Sequence, residues 1–265
     1  MWAPVSTCGA HCLAGGQVSR VDAGRVAARV AGLAGVLAVV AVLVPLLPLL
    51  PRGGRARAVG ACARATLHVL GVRWSVRGRL PDRRALVVAN HVSWLDIVIL
   101  LAAGRCRLVA KAEVRGWPLV GAIADRLGGV FVDRARPRTL PVSVGQVRDA
   151  LAAGAVVAVF PEGTTSCGAG ASGFRPAFFQ AAVDAGAPVV PVALRFEVAG
   201  EPTAQPAFIG DDTLLDSLRR VLALRGLRVE ARVGAPIHPG PAASRRSLAR
   251  IAGAGIVISR CIVLA

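Results

Sequence analysis

Residues 86–96 read LVVANHVSWLD. The first four are an uninterrupted apolar run, which suits a short strand buried on both faces. Ser93-Trp94-Leu95-Asp96 then opens a second apolar stretch that ends at Gly104, read as a helix over 93–104. A strand, a tight turn and a helix therefore follow one another within about twenty residues. The turn sits where open α/β sheets place ligands, at the carboxyl end of a strand. His91 lies in that turn and Asp96 lies five residues on. A neutral imidazole can take up a proton near pH 7 and needs a partner to set its tautomer. On one straight helix the two side chains would diverge by about 140°. With His91 in the turn and Asp96 in the first helical turn, the carboxylate can fold back onto the ring. The same spacing admits a structural reading: Ser93-x-x-Asp96 is also a capping box, and both readings can hold together.

The alternation continues downstream. RLVAK (107–111), VFV (130–132), VVAVF (156–160), PVVPVAL (188–194) and LRVEARVG (227–234) read as strands. Helical patterns over 118–129, 138–154, 174–186 and 211–226 separate them. Such an order predicts an α/β domain with a mostly parallel central sheet flanked by helices. Two more strand ends carry polar residues. Glu162 and Gly163 follow VVAVF in FPEGTTS (160–166), and Arg134 ends GGVFVDR (128–134). An arginine at a strand end suits a phosphate through its planar fork of donors, although a surface role is equally open in a chain so rich in arginine.

Composition sets the context. The chain has 265 residues, 54% of them hydrophobic, with Lys+Arg 32 against Asp+Glu 15 and a net charge of +17. Mean hydropathy is +0.59 and the pI about 11.6. That excludes a disordered chain, and pairs apolarity with a basic balance that fits a protein seated on an anionic membrane. Tyrosine is absent and aromatics are 4%, too few for a platform that stacks single-stranded bases, so no nucleic-acid partner is expected. Lys111 is the only lysine. Residues 1–24 lack periodicity and read as a disordered tail. Residues 25–72 read as a membrane-anchoring helical segment: 30–50 carry no charge, enough for a helix of about 30 Å. Pro45, Pro48 and Pro51 crowd its second half, so it either spans with a kinked end or enters the bilayer and breaks. Arg52, Arg55, Arg57 and Arg64 follow it, and Arg20, Arg25 and Arg29 precede it; the bias is not clean, and the downstream arginines predict the cytoplasmic side of the cell membrane for the chain that follows. Residues 56–72 suit a helix lying in the interface. The domain proper is then 73–265. Six cysteines are scattered, in keeping with reduced thiols. Cys8 and Cys12 flank His11 but lack further ligands nearby in sequence, so no metal site is expected.

The ordered set NHVSWLD, GGVFVDR, FPEGTTS and VVPVAL resembles the glycerolipid acyltransferase family, typified by 1-acylglycerol-3-phosphate acyltransferases. The Lys111-x-Glu113 stretch with Pro118 is similar to the family's segment between the first two blocks, and the resemblance covers about 70–240. It implies transfer of a fatty acyl group from acyl-CoA or acyl carrier protein to a lysolipid hydroxyl, with no bound cofactor. His91 would be the general base, with Asp96 orienting it. Arg134, Glu162, Gly163 and Lys111 would form the acceptor site. No G-x-S-x-G elbow supplies a serine nucleophile, in line with direct transfer. Thr165 stands where many phosphatidate-forming members carry Arg, and Ala177 where many carry Gly. Both are similar to relatives that acylate other lysolipids, lyso-ornithine lipid among them. Two other classes remain at this point: a thioesterase using Cys167 or water, and a basic membrane-binding protein without catalysis.

Overall fold

The computed structural model describes residues 8–13, 19–168, 173–210 and 212–261. Two helices come first, α1 (Ala23–Leu46) and α2 (Arg52–Val69). They are followed by β1 (Arg73–Arg77), β2 (Ala85–Ala89), α3 (Leu95–Ala103), β3 (Arg107–Lys111), α4 (Val120–Arg126), β4 (Val130–Val132), α5 (Leu140–Ala152) and β5 (Val156–Val159). After these come α6 (Phe179–Ala185), β6 (Val189–Val198), β7 (Glu201–Pro202), α7 (Leu214–Ala223), β8 (Leu227–Val233) and α8 (Arg245–Cys261). The strands form one sheet in the order β1-β8-β6-β2-β5-β3-β4, with β7 paired to β6. The run β6-β2-β5-β3-β4 is parallel throughout, and only β8 and β7 pair antiparallel with β6.

Side-chain alternation along the central strands builds two cores. Val87 and Ala89 point to the layer of α2, α3 and α7, where they meet Leu67, Leu95, Ile99 and Val221. Leu86 and Val88 point to the opposite layer, where α5, α6 and α8 supply Leu151, Phe179 and Leu248. Every residue of β2 and of β5 is buried, as an apolar run covered on both faces requires. A fully buried leucine such as Leu67 or Leu95 contributes about 1.5–3 kcal/mol relative to exposure.

Several expectations need revision. Helix α6 begins only at Phe179, because Phe174–Phe178 form the approach to it. Helix α8 was not foreseen. Its core face is Leu248, Ala249, Ala252 and Ile256, small residues whose periodicity is faint in a sequence so rich in alanine. The residues at 56–72 pack one face on the domain. Val59, Ala63, Leu67 and Leu70 are buried, and Arg64 donates to the carbonyl of Ala102 at the end of α3 (3.1 Å). The helical segment 25–72 thus shares a core with the domain that follows it. Within the supposed tail, residues 10–13 form a 3₁₀ turn. Cys8, Cys12 and Leu13 pack on the core, and Arg20 bridges to Leu224. Residues 1–7 and 14–18 lie outside the described residues.

Helix α1 also has a defined course. It breaks at Pro45 into a 3₁₀ turn, Leu47–Leu49, and the chain returns as α2. Both ends of this hairpin meet the domain. Arg29, itself buried, donates to the carbonyls of Leu222 (2.7 Å) and Leu224 (2.8 Å) and so closes the C-terminal end of α7. The start of α7 carries a capping box of Thr213 and Asp216. Asp212, just before it, pairs with Arg220 at 2.5 Å.

One side chain splices the centre of the sheet. The β2–β6 ladder ends at Ala89↔Val192. Asn90, buried, continues it by donating Nδ2 to the Leu194 carbonyl (3.0 Å) and accepting the Leu194 N–H at Oδ1 (2.7 Å). Asn90→Ala would strand both groups in the core. Thermal unfolding of the purified protein in detergent is expected to show a loss of about 2 kcal/mol, or roughly 5 °C in Tm.

Candidate active site

Four neighbouring parallel strands, β2, β5, β3 and β4, end at one edge of the sheet, and each sends a site residue past its last apolar position. His91 follows β2, Glu162 and Gly163 follow β5, Lys111 ends β3, and Arg134 follows β4. The β3–β4 register sets Lys111 opposite Val132, two residues before Arg134. Strand order therefore assembles residues that are far apart in the chain.

His91 is held from three sides. Its Nδ1 lies 2.8 Å from Asp96 Oδ2, its ring stacks on Phe160 with centroids 4.1 Å apart, and its carbonyl accepts the N–H of Ser166 at 2.9 Å. Asp96 is fully buried, while the His91 side chain keeps 19% of its surface exposed. Asp96 Oδ2 also accepts the N–H groups of Val92 (2.6 Å) and Ser93 (2.8 Å). An oxygen that already takes two main-chain donors can only accept from the ring, so Nδ1 carries the hydrogen and Nε2 of the neutral imidazole is left as an acceptor. Asp96 thus satisfies orphan donors at the start of α3 and orients His91 with a single oxygen. Only half of the expected capping box forms: Asp96 takes the Ser93 N–H, but the cap position of α3 is Trp94, and the Asp96 N–H goes to the Ser93 carbonyl, not to its hydroxyl. Ser93 contributes a weaker contact, accepting Leu95 N at 3.3 Å. Asp96 Oδ1 has no hydrogen-bond partner among the described residues.

The loop after β5 is folded against this turn. Gly163 takes φ +76°, and its N–H closes a turn onto the Phe160 carbonyl (3.1 Å); a side chain there would be strained. Glu162 is buried, accepts Ser166 Oγ at 3.3 Å, and its carbonyl accepts Arg175 Nε at 3.3 Å. Thr165 Oγ1 donates to the carbonyl of Phe208, and Phe208 N donates to the Val92 carbonyl (3.0 Å).

Lys111 and Arg134 form a second, cationic group. Desolvation first, and then the like charge of Arg134, hold the Lys111 ammonium below the ordinary lysine range, while Glu113 pulls it back up. Burial lowers Arg134 as well, with Glu113 opposing and Arg175 adding to the effect. These couplings link Lys111 to Arg134 and Glu113, and Arg134 to Arg175. Asp133 is turned away from the group: it caps Ala135 and pairs with Arg136 at 2.6 Å. The parts that sequence reasoning passed over are Asn90, Phe160 and Ser166 as props of the turn, and Arg175 as a further cation. All four lie within or beside the quoted blocks, but their contacts cross between blocks.

Comparison with known proteins bears on the same region. A family model described as Acyltransferase matches residues 72–195. A lyso-ornithine lipid O-acyltransferase of Pseudomonas aeruginosa is 38% identical over 175 residues, which are 66% of this chain and 67% of that one. A 1-acyl-sn-glycerol-3-phosphate acyltransferase of Neisseria gonorrhoeae is 37% identical over 179 residues, 66% and 70% of the two chains. The chain belongs to the glycerolipid acyltransferase family. The crystal structure of the 1-acyl-sn-glycerophosphate acyltransferase from Thermotoga maritima shares its fold, with a TM-score of 0.64 over 81% of this chain and 82% of that one, at 23% identity. This acyltransferase therefore carries the fold of its family on the strand order given above.

Cys167, the thiol a thioesterase reading would use, is half-buried and sits against Cys8 and Cys12. In this acyltransferase Asp96→Ala is expected to lower stability by about 3 kcal/mol, because the Val92 and Ser93 N–H groups lose a charged acceptor inside the core. Asp96→Asn, which keeps an acceptor oxygen, should lose less; unfolding of both variants in detergent checks the order.

Proposed function

We propose that this acyltransferase moves a fatty acyl group from acyl-CoA or acyl carrier protein to the free hydroxyl of 1-acylglycerol-3-phosphate, giving phosphatidate. The observation that carries this reading is the buried Asp96 against Nδ1 of a part-exposed His91. Nε2 takes the hydroxyl proton as the oxygen attacks the thioester carbonyl. The tetrahedral intermediate collapses, the C–S bond breaks, and the imidazolium returns its proton to the departing thiolate. Acid and base balance on one ring, and no acyl-enzyme or bound cofactor is required. Glu162 and Gly163 shape the acceptor side of the turn.

The cations Lys111, Arg134 and Arg175 favour a phosphate dianion as the acceptor's head group. Lyso-ornithine lipid is the second reading, and Thr165 favours it. The hydroxyl is tied to the Phe208 carbonyl, so this position offers no cation. A membrane seat for the reaction is supported by α1. Leu37, Val39, Val42, Leu46 and Leu49 are exposed, and the helix is long and apolar enough to cross a membrane by length and composition. The hairpin returns to the domain, so we propose that it dips into the cytoplasmic face of the cell membrane.

Incubation of the purified protein with acyl-CoA and a panel of lysolipids, counting released thiol, tests the reading. His91→Ala is expected to lower turnover by about 10³-fold while leaving the chain folded and membrane binding unchanged; undiminished turnover would sink the mechanism. Lys111 adds a pH signature. Its charge is present below its pKa and lost as pH rises through it, at a lower pH than for an exposed lysine. The kcat/KM for lysophosphatidate should therefore fall on the alkaline side below the ordinary lysine range, and Lys111→Arg should move that limb upward. A limb that does not move removes Lys111 from the acceptor site.

A further inference from the structure

Three cysteines from distant parts of the chain meet in space. Cys8 and Cys12 flank the start of the N-terminal 3₁₀ turn, and Cys167 follows the loop of Glu162. Their sulfur atoms all lie within 4.8 Å of one another, and among the described residues no disulfide links them. We propose that Cys8, Cys12 and Cys167 form a site for a thiophilic divalent cation, zinc in the first instance, that pins the N-terminal segment to the loop beside His91.

The geometry argues for a metal rather than for a disulfide. The edge of a tetrahedral thiolate site is about 3.8 Å, given Zn–S distances of about 2.3 Å, so closure by at most about 1 Å suffices. A disulfide would need two sulfurs at about 2.05 Å and would leave the third unused. The main-chain N–H of Cys167 donates to the sulfur of Cys8 at 3.2 Å, so the two segments already meet at this sulfur. Binding converts three thiols and one Zn²⁺ into a trithiolate complex of charge −1 and releases three protons to solvent, with a water completing the tetrahedron. That residual negative charge suits a chain of net charge +17. His11, between the two cysteines in sequence, is outside the group.

The surroundings are built to receive the N-terminal segment. Gln205 Nε2 donates to the Leu13 carbonyl at 2.9 Å, and a Cβ on Gly210 would lie 3.5 Å from Cα of Gly9. The segment 205–210 in turn meets the His91 turn, through Phe208 and Val92, and the Glu162 loop, through Thr165. Cys167 itself follows Ser166, whose N–H holds the His91 carbonyl. A cation shared by Cys8, Cys12 and Cys167 would fasten these three segments to each other. Cys106 and Cys62 are unsuited to metal binding, because burial pushes the Cys106 thiol up to about 12 and raises that of Cys62.

The full chain, purified in detergent without chelators, is the material for the test. Elemental analysis is expected to find about one zinc per chain, lost in Cys8→Ser, Cys12→Ser and Cys167→Ser and retained in Cys62→Ser. The wild-type chain reconstituted with Co²⁺ should show the thiolate charge-transfer and visible bands of a tetrahedral sulfur site, a readout that does not depend on any variant folding or on acyl transfer. Zinc content equal in wild type and Cys167→Ser, a cobalt spectrum without thiolate bands, or two thiols that titrate only after reduction would each overturn the proposal.

Discussion

A single buried oxygen, Asp96 Oδ2, gathers three N–H donors: the ring of His91 and the main chain of Val92 and Ser93. A carboxylate removed from water must be met by such donors or it will not stay charged. The turn between β2 and α3 is wound tightly around it for that reason. The contacts that stiffen a helix start are also those that set which ring nitrogen bears the proton. Stability and the proposed chemistry therefore cannot be separated at this residue, and the surrounding parts act as its supports. Asn90 ties the turn to β6, Phe160 lies flat against the ring, and Ser166 holds the carbonyl of His91.

The sheet converts that local device into a site. Parallel strands put all their carboxyl ends on one edge, so β2, β5, β3 and β4 deliver an imidazole, a buried acid and two cations to neighbouring positions. The two groups differ in character. The His91–Asp96 pair joins a buried carboxylate to a part-exposed ring. Lys111, Arg134 and Arg175 gather positive charge with Glu113 beside them, a local field that favours an anion. An acyl acceptor with a charged head and a nearby hydroxyl would use both.

Helices α1 and α2 are fastened to this domain by contacts distant in sequence, through Arg29 and the carbonyls that end α7. One face of α1 and the turn after it packs through Val40, Val44 and Leu47, while Val39, Val42, Leu46 and Leu49 stay exposed. A helix apolar on both faces finds a protein partner for one and leaves the other for a different apolar medium.

The amino-acid sequence by itself determined the alternating α/β pattern, the buried central strands, and three motif-bearing strand ends, because side-chain periodicity and apolar runs are local signals. It also placed His91 and Asp96 within reach of each other, since five residues and a turn set that distance. Helix α8 stayed hidden because alanine and glycine blur its periodicity, and the hairpin of α1 and α2 because hydropathy records length and not direction. Strand order, and with it the meeting of Lys111 with Arg134 and of Cys167 with Cys8 and Cys12, was decided only by the tertiary structure. Contacts between residues dozens of positions apart depend on how the sheet is threaded, and no local pattern encodes that.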